Sequence, residues 1–397
     1  MRSTTGRNVL WAMALVVALA LVGLAYLQDD DDASDVVVPV PGPTTPAARD
    51  VGDGCGDAAV TDPTDLDIGR EVARCASGSP EPVPLPQPAT VRVALPDPTL
   101  GATPLLVAAA EGEFEEENLT VEIVPLPQPE AYAAMARGEI DAVVGTVDGP
   151  FLDAVESGTP ARLALGGPLS RAPGDLEVPQ AGLWARVEVL PDPDEWDSVE
   201  GQKLAVSGGL GAGALYPIGL VLDQESLSLN SVDFVPASSA DAAQRLRDAA
   251  VSMAWLPAPE AAGVAGDDAY MLLGTLPASE AIDGTVLGPR LLGADRAAGV
   301  AFLRALIRSV NTFLADGWSD EAAAALAEAT GESERTVRAG PDPLFDWEVR
   351  SDTTTRIQEA LVAVGGIGYE RPLADDALVD RSLYEEAVGG EDGAPSG

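Results

Sequence analysis

The sequence predicts an α/β protein whose folded part is a pair of similar lobes flanking a cleft. Two observations carry this. From residue 90 onward, short β runs alternate with helical stretches, the pattern of strands joined by crossover helices. The order strand, helix, strand, helix, strand also occurs twice, once before and once after residues 166–202. With 46% hydrophobic but only 5% aromatic residues, both cores must be built from Ala, Val and Leu.

The first unit opens with a β run at Val91–Leu95. A helix is expected over Thr103–Asn118, with Thr103 as N-cap and Pro104 at the first helical position. Glu115 to Glu117 crowd its C-terminal end, where the helix dipole disfavours carboxylates. A strand at Val121–Val124 follows, then a helix over Glu130–Arg137 closed by Gly138. A strand at Asp141–Gly145, a helix at Phe151–Ser157 and a strand at Ala161–Leu165 complete the unit.

The second unit repeats the plan. Strands are expected at Lys203–Val206, Val232–Val235 and Val251–Trp255, with helices at Ala214–Asp223 and Ala240–Asp248 between them. After Pro289 the chain reads as helical over Asp295–Asp316, Glu321–Thr330, Glu332–Ala339 and Thr353–Val364.

Residues 9–27 form an uncharged apolar run preceded by Arg2 and Arg7 and followed by Asp29 to Asp32. Its length suits a membrane-spanning helix, and the arginines place the remainder of the chain outside the cytoplasm. An uncleaved signal anchor at 1–27 is favoured over a signal peptide cut near Gly23-Leu24-Ala25. Residues 28–89, rich in Pro, Asp and Gly, read as an extracytoplasmic spacer with a short helix at Asp65–Ala73. Cys55 and Cys75 lie in this spacer and are expected to form a disulfide. Residues 391–397 read as a disordered tail.

Composition excludes several functions. A formal net charge of −41 repels phosphate backbones, so no nucleic-acid partner is expected. The chain has no histidine, which removes serine- and cysteine-triad catalysis together with histidine metal sites. No cofactor and no metal are expected, and the soluble part reads as a monomer.

Five blocks in the folded part carry a resemblance. They are Thr103–Val124, Ala134–Val143, Trp196–Val206, Ala249–Pro259 and Gly366–Tyr384. Over roughly residues 90–388 the chain resembles the type II periplasmic binding proteins. The likeness is greatest to the nitrate, sulfonate and taurine receptors, a group that also includes pyrimidine-precursor binders. The resemblance implies two Rossmann-like lobes joined by two crossings. Lobe I would be 90–182 with 285–390, and lobe II 183–284. It also implies a receptor that delivers a small, anionic solute to the permease and ATPase subunits of an ABC importer, and not an enzyme. Two other readings stand beside it. One is a tethered, non-transport sensing domain. The other is a pyrimidine-precursor synthase, which would resemble relatives that use a histidine this chain lacks.

Candidate ligand residues follow from spacing and resemblance together. The loop Ser207-Gly208-Gly209-Leu210-Gly211-Ala212-Gly213 stands between a strand and a helix. Such a loop can aim several backbone N–H groups at an anion, or serve only as a tight turn. Gly145 and Thr146 follow a strand, where open α/β sheets bind ligands, while Asp148 is expected to cap the next helix. Thr99 and Thr103 offer hydroxyls in the loop after the first strand, and Gly167 lies near the first crossing. Trp255 either covers an apolar part of the ligand or packs between the lobes. Arg171 and Arg290 are the cations nearest the expected crossings.

Overall fold

The computed structural model describes residues 54–170, 181–192 and 195–389. By compactness the chain divides into Met1–Thr44 and Thr45–Gly397, and all that is described belongs to the second unit. The expected anchor and tail lie outside the described residues. Among the described residues, no helix is long and apolar enough to cross a membrane.

Two five-stranded sheets organise the molecule. The first contains β1 (Ala89–Ala94), β2 (Leu119–Val124), β3 (Ala142–Thr146), β4 (Arg162–Gly166) and β10 (Asp283–Leu287), in the order β2-β1-β3-β10-β4. The second contains β5 (Ala181–Arg186), β6 (Lys203–Val206), β7 (Asp233–Pro236), β8 (Met253–Pro257) and β9 (Tyr270–Thr275), in the order β7-β6-β8-β5-β9.

The expected parallel strands are present as β1 with β2 and β3, and as β6 with β7 and β8. Three further strands were not expected. β10 lies antiparallel between β3 and β4, and β5 lies antiparallel between β8 and β9. Each sheet therefore takes its antiparallel strand from a chain segment that has just arrived from the other sheet. Their first residues are Ala181 and Asp283, so each sheet change is complete two residues before the lobe boundary read from sequence.

Local chemistry explains where the elements stop. The expected 103–118 helix breaks at Gly112, whose φ of 81° is left-handed, into Thr103–Glu111 and Glu113–Glu116. The carboxylates that follow this break are neutralised by the helix Arg296–Phe313. Glu117 is fully buried and accepts from Arg304 at 2.7 Å and Arg308 at 2.8 Å. Arg308, itself buried, also bonds the Glu113 carboxylate and the Pro80 carbonyl. Phe114 stacks on Phe302 with ring centroids 5.4 Å apart, joining the same two segments by apolar contact.

The expected spacer is, over residues 54–89, part of the folded body. Its proline-rich composition suits an extended chain, but that chain lies along the first lobe and is not a stalk. Asp65–Ala73 forms no helix, and among the described residues before β1 the one short element is a 3₁₀ turn at Asp57–Ala59. Cys55 and Cys75 are bonded with Cα atoms 4.4 Å apart, and Ala59, Val72, Ala73 and Cys75 are buried. The Cys75 N–H donates to Asn311, and Asn311 donates to the Ser79 carbonyl. Arg350 donates to the Asp62 carbonyl, and Thr61 N–H donates to Glu348. Arg70 reaches the Ser279 carbonyl between β9 and β10.

The helix Thr353–Val364, assigned to lobe I from sequence, packs mainly on Leu215–Gln224 and the turn Leu229–Ser231 of the second lobe. Asn230 donates to the Ala363 carbonyl, and Arg356 donates to the Tyr216 hydroxyl. Ile357 and Leu361 accordingly share one apolar cluster with Leu215, Ile218 and Phe151, so a continuous core joins the lobes on this side.

The disulfide closes a strap that wraps the first lobe. Replacing Cys55 and Cys75 together by Ser should cost about 3 kcal/mol in urea unfolding under oxidising conditions. An unchanged midpoint would contradict an integral role for the strap.

Candidate functional site

The principal cavity, about 160 Å³, lies between the two sheets. Its wall is built by the segments that leave the C-terminal ends of β1, β3, β6 and β7, by the end of β8, and by both crossing segments. This is where open α/β sheets present ligand-binding groups, because parallel strands all deliver their following loops to one edge.

Thr99, Gly145, Thr146, Ser207, Ala212, Gly213 and Trp255 line this cavity. Trp255 is 7% exposed, lines the cavity and belongs to the joint apolar cluster, so the packing between lobes weighed for it is present.

Four expected residues lie off the cavity, each for a steric or bonding reason. Thr103 is fully buried, and its hydroxyl donates to the Leu100 carbonyl at 2.8 Å, closing the turn before its helix. Gly167 passes beneath the start of β10, where a Cβ would sit 2.5 Å from the Asp283 carbonyl oxygen. Gly209, at φ +61°, rests on Pro236. Gly211 meets Pro150, Gly149 and Gly366, so it serves the contact between lobes.

Two N–H groups of the glycine-rich loop are used within the loop itself. Gly209–Gly211 is a 3₁₀ turn, and the N–H groups of Gly211 and Ala212 are spent on the carbonyls of Gly208 and Gly209. A Cβ on Gly213 would lie 2.1 Å from the Val147 carbonyl oxygen, so this glycine is required where the two lobes touch.

Arg290 supplies no cation to the described wall. Arg290 bonds Asp141 at 2.8 Å, Asp295 at 2.5 Å and the Thr90 carbonyl, and it does not line the cavity. Arg171 lies outside the described residues.

Sequence reasoning missed Gln128, Ser170, Ser239, Thr275 and Asp283, all of which line the cavity. Ser239 follows β7 and was reachable from the same strand-end rule that found Thr146. Gln128 opens the helix Gln128–Ala136 and donates to the Thr146 carbonyl at 2.7 Å. Asp283 is visible only once β10 is known, since it is that strand's first residue.

The wall carries three carboxyls, those of Asp97, Asp148 and Asp283. Burial raises Asp283 above the usual carboxylate range, opposed by the Thr146 hydroxyl that donates to it at 2.7 Å. Asp97 is exposed at the rim, where partial loss of solvent raises its carboxyl. Asp148 is 2% exposed and is pushed well above the usual range by burial, with the charge of Asp153 adding to the effect. It caps the helix Gly149–Glu156 by accepting from the Phe151 N–H, the role expected of it, and it faces the cavity as well.

Two α/β lobes each contribute strand-end loops to one cavity. No protein-family model and no curated protein matches the chain. Solved structures do match in fold. The ligand-binding component of an ABC-type import system from Staphylococcus aureus, with zinc bound, aligns at a TM-score of 0.57 and 13% identity, over 75% of this chain and 99% of that one. The nitrate-binding protein of Synechocystis PCC 6803 aligns at 0.57 and 14%, over 77% and 91%. The alkanesulfonate-binding protein of Xanthomonas axonopodis pv. citri, bound to MOPS, aligns at 0.56 and 16%, over 74% and 99%. All three are described as binding proteins or components and none as an enzyme. The chain thus has the fold of the ABC-importer binding components, as the sequence resemblance implied.

An ionised, unpaired Asp148 costs stability, while its neutral form does not. Folded Asp148 holds its proton to higher pH than the unfolded chain does. The cost is therefore absent near and below the ordinary value of 3.8 and grows as pH rises above it. Asp148→Asn keeps a capping oxygen and should raise stability by about 1–3 kcal/mol at pH 8, with the gain shrinking toward pH 4. Urea unfolding at both pH values checks this, and equal stability of the two proteins at pH 8 would contradict it.

Proposed function

We propose that this chain is an extracytoplasmic receptor that captures a small solute between its lobes and hands it to the permease and ATPase subunits of an ABC importer. The observation that carries the reading is the cavity at the strand ends of both sheets, open to solvent and flanked by both crossing segments. Closure around a solute would bring loops from both lobes onto it at once. The uncharged run at residues 9–27, preceded by Arg2 and Arg7, supports export, with the apolar segment retained as a single-pass anchor.

The ligand set of this reading is the described wall: Thr99, Thr146, Ser207, Gly213 and Trp255 from the sequence-named set, with Gln128 and Asp283 added. An anionic solute was expected from the glycine-rich loop. The turn consumes two of that loop's N–H groups and the wall carries carboxyls, and both weigh against an anion.

A thermal-shift screen of the exported part of the chain tests the receptor reading. The panel is nitrate, alkanesulfonates, amines, pyrimidines and dipeptides. A solute at 100 times its Kd adds about 2.7 kcal/mol to the folded state and raises the melting midpoint. At least one reproducible rise is expected. A well-folded protein that responds to nothing in the panel would contradict the reading.

A further inference from the structure

We propose that the cleft binds a small organic ammonium compound, its charge held by Asp283 and Asp97 and its carbon body against Trp255. This rests on the receptor reading above and names the chemistry of its solute.

The first support is the way this protein treats buried carboxylates elsewhere. Glu117 is paired with Arg304 and Arg308, Asp141 with Arg290, Asp346 with Arg350 and Arg70, and Glu348 with Arg350. Each of those four is no more than 2% exposed. Asp148 is equally buried, yet among the described residues it has no ion pair, and neither do Asp97 and Asp283. The described wall contains no Arg or Lys. Carboxyls drawn out of water need a cation, a proton or strong donors. Among the described residues no cation reaches these carboxyls, and a ligand would fill that role. The acidic surface does not explain Asp148, which is buried, or Asp283, which is half-buried at the wall, while Asp97 is exposed at the rim.

The second support is the direction of the wall's hydrogen bonds. Thr146 spends its hydroxyl proton on Asp283 Oδ1, and Gln128 spends an amide N–H on the Thr146 carbonyl. These side chains keep several acceptors, namely the other Asp283 oxygen, the Thr146 lone pairs and the Gln128 Oε1, beside the second amide N–H of Gln128. Such a wall matches a ligand that donates, as an ammonium group does.

Trp255 supplies the apolar partner. Its ring lines the cavity while 7% exposed, and an indole face attracts an ammonium more strongly than other aromatic faces do. Its Nε1–H makes no hydrogen bond among the described residues, so a hydroxyl on the same ligand would find a donor there. A metal ion is a poorer fit, since no group of three or more acidic or thiol ligands converges among the described residues. The one feature favouring an anion is the uncapped start of the helix Leu215–Gln224. That helix end is worth roughly half a unit of charge, against three carboxyls.

The test is calorimetric titration of the exported part of the chain with choline, ethanolamine and putrescine, and in parallel with ethanesulfonate and nitrate. An ammonium probe is expected to bind. Asp283→Asn should weaken it about ten-fold or more, and Asp97→Asn should weaken it less, with melting midpoints showing that both variants are folded. Binding of ethanesulfonate or nitrate with no ammonium binding would overturn the cation while leaving the receptor reading standing. So would ammonium binding that neither variant weakens. Silence from every probe and from the wider solute panel would overturn both.

Discussion

The insertion of β10 between β3 and β4 is the constraint on which the rest of the structure depends. A strand returning from the second lobe must enter the middle of the first sheet antiparallel to both neighbours, and side chains must be removed where it passes. Gly284 pairs with Gly145 on one side and Gly166 on the other. A Cβ on Gly166 would lie 2.4 Å from the Asp346 carbonyl oxygen, and one on Gly101 would lie 2.8 Å from the Asp283 carboxylate. The same insertion sets Asp283 at the cavity wall beside Thr146. It also fixes the end of the second crossing, which Arg70 of the N-terminal strap holds through the Ser279 carbonyl.

Arginine placement divides the molecule into two electrostatic regimes. In the first lobe and its strap, buried carboxylates are matched: Arg308 and Arg304 with Glu117, and Arg350 with Asp346 and Glu348. Such pairs add little net stability, but losing one partner strands a buried charge, so they hold the strap in one register. Among the described residues of the cleft no such matching occurs, and burial raises the carboxyls of Asp148 and Asp283 there. An acidic protein with few cations has placed them where they organise its body and has kept them from the described wall of its cavity.

Much of the architecture was legible because hydrophobic periodicity is local. Lys203–Val206 and Thr353–Val364 are found with the bounds the sequence indicates, and the paired strand–helix plan is present in both lobes. What was not legible depends on long-range pairing. β5, β9 and β10 lie at the ends of the crossing segments, outside the strand–helix alternation, so none stands out as a β run until its neighbours are known. The segment 54–89 reads as a spacer because proline and acidic residues dominate it, yet a few small apolar residues suffice to bury it against the first lobe. The site divides the same way. Thr99, Thr146, Ser207 and Trp255 follow from strand ends, but glycines indicate close approach without saying to what. Gly209 and Gly211 approach protein, and Asp283 waits on the register of a strand the sequence hides.

Solute capture by closure of two lobes is the account's central claim, and an inter-lobe distance tests it most directly. Glu130 and Asp241 are exposed residues on helices that also contribute Gln128 and Ser239 to the cavity wall. Both native cysteines are disulfide-bonded, so spin labels on Glu130→Cys and Asp241→Cys would report this pair alone. Pulsed dipolar spectroscopy should show a broad distance distribution without solute. Saturation with the solute identified by titration should shift it to a shorter, narrower one. A distribution that stays the same in saturating solute would contradict the account.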